Sequence, residues 1–162
     1  LSPKQNRDVP ELRYGWARRL KQSWPELSVS LNGGIMDVSS AEKHLQVFDG
    51  VMLGRAAYQN PWILAEFQAR VFGSGGLEDR AEAVHRLTPY LERQAAAGVP
   101  VKHVSRHVLG LFQGVPGARR WRRYISENAH LDAANTRLLE QALKHMGPSI
   151  LGSAPVHDDD LE

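Results

Sequence analysis

The chain has 162 residues, 42% of them hydrophobic, and a formal net charge of +2. That length suits one ordinary domain or two small ones, and the composition is that of a globular protein with a packed core. No apolar run approaches the roughly 18 residues of a membrane span. No signal-peptide pattern is recognisable, and the absence of Cys excludes disulfides, thiolate metal sites and a cysteine nucleophile among these residues.

In chain order, Asp8 followed by Pro10 is a helix-start pattern. Leu12, Trp16, Leu20 and Trp24 then recur at helical spacing, which predicts a helix over 10–23 that Pro25 ends. Residues 27–31 alternate in polarity and run into Asn32-Gly33-Gly34, a strand with a glycine turn at its end. Ser39 and Glu42 form a capping-box pattern that opens a short helix through about residue 46. The apolar, β-branched stretch 47–53 predicts a second strand, closed by Gly54-Arg55. An amphipathic helix over 61–72 follows.

Strands that alternate with helices imply a parallel sheet. Two strands cannot make a stable parallel sheet alone, because such sheets need more members and cover on both faces. With Leu1 rather than Met as the first residue, this leads to the expectation that the chain is a piece of something longer. The glycine-rich 73–76 is the expected boundary. Beyond it the pattern is helical throughout: 77–97, then 101–113 with Val104, Val108, Leu111 and Phe112 as its apolar face, then 118–129, then 133–146 capped by Asp132. Residues 148–162 are expected to be a disordered acidic tail.

The positive charge is concentrated. Residues 101–147 carry 8 Lys+Arg against 3 Asp+Glu, whereas 148–162 carry none against 4. Arg119, Arg120, Arg122 and Arg123 flank Trp121; each i,i+3 pair shares a helix face, while Trp121 and Ile125 are expected to point to the core. Arginine suits bidentate phosphate contacts, and a basic patch on a helical domain suggests nucleic acid. A solvated face paired with Glu127 is the alternative. Lys4 and Arg7 make a similar basic pair. Asn32-Gly33-Gly34 and Gly54-Arg55 each follow a strand, where ligands of parallel α/β sheets bind and where barrel loops after strands 7 and 8 often hold phosphate. Glycines bare the backbone N–H groups to an anion and Arg55 adds charge; a pair of ordinary turns is the alternative. His103 and His107 stand four apart on a predicted helix, but no third ligand accompanies them and no metal site is expected. Asp37, Glu42 and Asp49 show no pairing that would mark a general acid or base.

Four strings resemble the tRNA-dihydrouridine synthase family, and its A type most: LSPKQNR at 1–7, SLNGGI at 30–35, DGVMLGRAAYQNP at 49–61 and RHVLGLFQGVPGARRWRRYISEN at 106–128. The last is the most specific, since NGG and GR elements occur in many flavin barrels. The resemblance runs from residue 1 to about 147. It implies an α/β plus all-α architecture: 1–73 as the C-terminal portion of an FMN-binding TIM barrel, holding strands 7 and 8, and 77–147 as a helical tRNA-binding domain. Asn32, Gly33, Gly34, Gly54 and Arg55 would bind FMN, and Lys4, Arg7, Arg120 and Arg123 would contact tRNA near its D-loop. The implied reaction is reduction of the uracil 5,6 double bond, with NADPH as reductant, hydride delivered to C6 through FMN and C5 protonated by a Cys. That Cys lies upstream of these residues, so the chain alone is expected to be inactive and to bind FMN weakly or not at all. A cytoplasmic monomer without metal or membrane is implied. Two readings compete: an RNA-binding helical module with a vestigial α/β piece, and another FMN barrel. The arginine cluster argues against the latter.

Overall fold

The structure, a computed structural model, describes residues 11–73 and 76–147. The helix start at Asp8 and Pro10 and the acidic tail at 148–162 lie outside the described residues. Helix α1, Tyr14–Ser23, is shorter than the periodicity predicts and precedes strand β1, Ser30–Asn32. Helix α2, Val38–Leu45, is capped by Asp37, whose Oδ1 accepts from the Ser40 amide at 2.7 Å. This corrects the capping box at Ser39 and Glu42. Asp37 is the cap, and the Glu42 carboxylate instead takes the Arg70 guanidinium of a later helix.

Strand β2, Gly50–Met52, pairs parallel with β1 in the register Ser30 to Gly50, Leu31 to Val51 and Asn32 to Met52. The Asp49 carboxylate ties this unit to α1: Lys21 Nζ lies 3.0 Å from Oδ1, and the Val29 amide donates to Oδ2 at 2.8 Å. A short helix α3, Arg55–Gln59, follows β2 directly, and α4, Ile63–Val71, takes the place of the predicted 61–72 helix. The apolar side chains of this part form one cluster around Leu31, Ala41, Phe48, Ile63 and Phe67.

The remainder is helical. Helix α5, Arg80–Ala96, is capped by Asp79 through the Glu82 amide at 2.7 Å and carries Pro89 within it. The predicted helix over 101–113 is interrupted. It consists of α6, Lys102–Ser105, a 3-10 turn over Arg106–Val108, and then turns. Tertiary demands explain the break. A Cβ at Gly110 would fall 1.9 Å from the Gln59 carbonyl oxygen, so the chain must approach α3 backbone to backbone. The Val108 carbonyl, in addition, accepts from Trp121 Nε1 at 3.1 Å.

Helices α7, Ala118–Asn128, and α8, Leu138–Met146, pack on each other. Helix α8 starts later than predicted. Asp132 caps a turn by accepting from the Ala134 amide, and the Ala133 carbonyl is claimed by the Val101 amide at 2.9 Å. Trp121 and Ile125 are buried as their spacing predicts, and Phe112 meets Trp121 at 4.7 Å between ring centroids. Trp62 joins the two parts: it packs against the helical cluster and lies under the Arg80 guanidinium at 4.9 Å, while the adjacent Ile63 belongs to the α/β cluster. Among the described residues, no helix is long and apolar enough to cross a membrane.

Candidate functional site

Because β1 and β2 run parallel and in register, both C-terminal ends emerge on the same edge. The two glycine-bearing turns are therefore neighbours. Asn32, Gly33, Gly34, Gly54 and Arg55 line a single cavity of about 190 Å³, to which Met36 and Met52 add apolar wall. The five positions that the sequence singles out for a cofactor are thus brought together.

Glycine is required in the first turn. Gly33 and Gly34 have φ of +118° and +65°, conformations that L side chains rarely adopt. Space is short as well. A Cβ at Gly33 would lie 2.7 Å from Leu12 Cδ2, and one at Gly34 would lie 2.8 Å from the Tyr14 hydroxyl. Tyr14 also fixes the turn by donating to the Gly33 carbonyl at 2.6 Å, and its ring stands edge-on to His44 at 4.9 Å. Neither Leu12 nor Tyr14 carries a functional pattern in the sequence. Their only signal is position: Tyr14 opens the helix that precedes β1, and Leu12 lies two residues before it.

At the second turn, Gly54 is the N-cap of α3 and supplies no side-chain cap bond. The first amides of a helix lack intrahelical acceptors and carry partial positive charge. Arg55, the first residue of α3, is exposed and adds a full one. No Asp or Glu is among the residues lining the cavity. Glycine-bared backbone, a helix start and a guanidinium beside methionine side chains suit a ligand with an anionic end and an apolar body.

The second candidate surface is α7. Arg119, Arg120, Arg122 and Arg123 are all exposed around the buried Trp121. Arg123 is engaged: its Nε donates to Glu127 at 2.8 Å, and that hydrogen bond holds its pKa above the ordinary arginine value. Lys4 and Arg7 lie outside the described residues. His103 and His107 are exposed; His107 serves the junction of the two parts, with Nε2 accepting from Arg106 Nε at 3.1 Å and Nδ1 lying 3.2 Å from the Tyr58 hydroxyl. Asp49, Asp37 and Glu42 hold the fold together.

Comparison with known proteins places the chain in a family. The family model described as Dihydrouridine synthase (Dus) matches residues 2–146. A protein of Vibrio cholerae named tRNA-dihydrouridine(20/20a) synthase is 46% identical over 153 residues, covering 94% of this chain and 47% of that protein. The Escherichia coli protein of the same name is 51% identical over 145 residues, 89% of this chain and 42% of its own length. That of Yersinia pestis is 45% identical over 150 residues, 92% and 44%. The chain therefore spans less than half the length of these relatives, and over that span it belongs to the dihydrouridine synthase family.

Proposed function

We propose that this chain is the C-terminal part of an FMN-dependent tRNA-dihydrouridine synthase of the (20/20a) type. It carries one part of the flavin phosphate site and a set of RNA-gripping helices, but not the catalytic residues. The observation that carries the reading is the meeting of Asn32, Gly33, Gly34, Gly54 and Arg55 at one cavity beside two parallel strand ends. In this reading β1 and β2 are strands 7 and 8 of a (β/α)₈ barrel, whose phosphate sites gather at that place. Residues 1–73 are barrel and 77–147 the tRNA-binding domain. The longer protein supplies the other strands and the proton-donating Cys, of which this chain has none.

The donor set fits the cofactor. Arg55 would balance the phosphate charge, and the amides of Gly33, Gly34 and the start of α3 would be donors to the phosphate oxygens. Tyr14 keeps the glycine turn in place, and Met36 and Met52 offer apolar contact. When bound, FMN supplies the hydride chemistry, with NADPH as reductant. Arg120 and Arg123, with Lys4 and Arg7, contact tRNA phosphates near the D-loop and so position a uridine. That base must leave its stack to reach the pocket. The expected setting is a cytoplasmic monomer.

The test is Arg55→Ala in the longer protein. Losing a charge-assisted contact weakens FMN binding by roughly 10-fold or more, read as flavin absorbance per chain, with the fold intact because Arg55 is exposed. Undiminished flavin content would remove Arg55 from the site. The 162-residue chain given tRNA, FMN and NADPH forms no dihydrouridine, and sustained formation would overturn the reading.

A further inference from the structure

Two glycines in succession give the turn after β1 its room, but they also leave it loose. Gly33 and Gly34 both lie at positive φ, and glycine adopts positive and negative φ about equally readily. The peptide that joins them can therefore turn over at little steric cost, exchanging the places of the Gly33 carbonyl and the Gly34 amide. To an anion in the cavity the exchange is decisive, because one orientation offers it an N–H donor and the other a carbonyl oxygen of partial negative charge. One side chain chooses between them. The Tyr14 hydroxyl donates to the Gly33 carbonyl at 2.6 Å, and its ring stands edge-on to His44 at 4.9 Å. The Gly33–Gly34 peptide is trans, so its carbonyl and its amide point in opposite directions. With the carbonyl turned to Tyr14, the amide points away from it. Gly33 and Gly34 line the cavity and Tyr14 does not, so the side away from Tyr14 is the cavity side. Among the described residues, the Gly34 amide has no acceptor of its own.

We propose that Tyr14 is a positioning residue that makes this site prefer a phosphorylated flavin to an unphosphorylated one, by holding the Gly33–Gly34 peptide with its amide toward the phosphate. The inference rests on the flavin phosphate reading and adds to it a residue outside the cavity. Tyr14 touches no ligand. Its hydroxyl sets the donor orientation before the ligand arrives, so that binding does not have to order the peptide. Without the hydroxyl the peptide turns over in part of the population, and the Gly33 carbonyl then faces the phosphate and repels it. A flavin that lacks the phosphate has no stake in that orientation.

The test uses the longer protein, freed of flavin, with Tyr14→Phe, which keeps the ring beside His44 and removes only the hydroxyl. Affinities for FMN and for riboflavin are read from the quenching of flavin fluorescence. FMN is expected to bind roughly 10-fold more weakly, the effect of losing a hydrogen bond to a charged group, and riboflavin as it binds to the parent. The phosphorus NMR resonance of bound FMN is expected to move, because the phosphate loses a donor. Equal weakening of FMN and riboflavin would make Tyr14 a support of the fold alone and overturn the proposal. So would an FMN affinity and a phosphorus resonance like those of the parent. Arg55→Ala is the control: if it lowers the preference for FMN over riboflavin and Tyr14→Phe does not, only the part given to Tyr14 is lost, and if neither lowers it, the flavin phosphate reading falls too.

Discussion

The helical part and the α/β part bury their apolar residues to different degrees. In the helical part Trp121, Phe112, Leu91, Leu138 and Leu139 are all at 0% exposure. In the α/β part no residue of α1 is buried, and Leu12, Trp16, Leu20 and Trp24 remain 42%, 62%, 46% and 56% exposed. A helical bundle closes on itself, since each helix needs only a partner for one apolar stripe. A parallel sheet of two three-residue strands has no such closure. On the function proposed above, the rest of the barrel covers this flank in the longer protein, and the phosphate cavity sits at the edge of an incomplete sheet while the arginine face stands on a complete core.

The sharpest way to break that contrast is to open each core in turn. Trp121→Ala removes the largest fully buried side chain and is expected to cost about 3–5 kcal/mol. Leu31→Ala falls in a part with open flanks that can relax around the loss, and about 2 kcal/mol is expected. Denaturant unfolding of both variants measures the difference. Equal losses would mean that the α/β part is as tightly closed as the helical one.

A smaller effect is expected from acid. The hydrogen bond from Lys21, and then that from the Val29 amide, hold the Asp49 carboxyl below its ordinary pKa. A carboxylate with a depressed folded-state pKa stabilises above its unfolded value, near 4, and loses that contribution as pH falls through the folded value. The α/β part should therefore loosen below about pH 4, and Asp49→Asn should lose less stability between pH 6 and pH 3 than the parent. An equal loss in both proteins, followed by thermal melts, would assign the acid sensitivity elsewhere.

Much of the candidate site was legible in the sequence, because glycines after strands and a cation beside them are local signals. The turns at Gly33-Gly34 and Gly54-Arg55 needed only the parallel register to become neighbours. Trp121 and Ile125 were legible for the same reason, since a four-residue spacing sets a helix face. What could not be read depends on partners distant in sequence. Glu42 looks like a capping-box member until Arg70 takes it. Residues 101–113 look like one helix until Gly110 has to pass Gln59 and Trp121 claims the Val108 carbonyl. The part played by Tyr14 at the Gly33 carbonyl spans 19 positions and leaves no periodic trace.

The central claim is that the complete half of the molecule grips RNA by its arginine face, and the dependence of tRNA affinity on salt tests it most directly. For the 162-residue chain, log affinity should fall linearly with log salt, and Arg120→Ala with Arg123→Ala should flatten the slope by about one unit per lost phosphate contact. A slope that both substitutions leave unchanged would contradict the account.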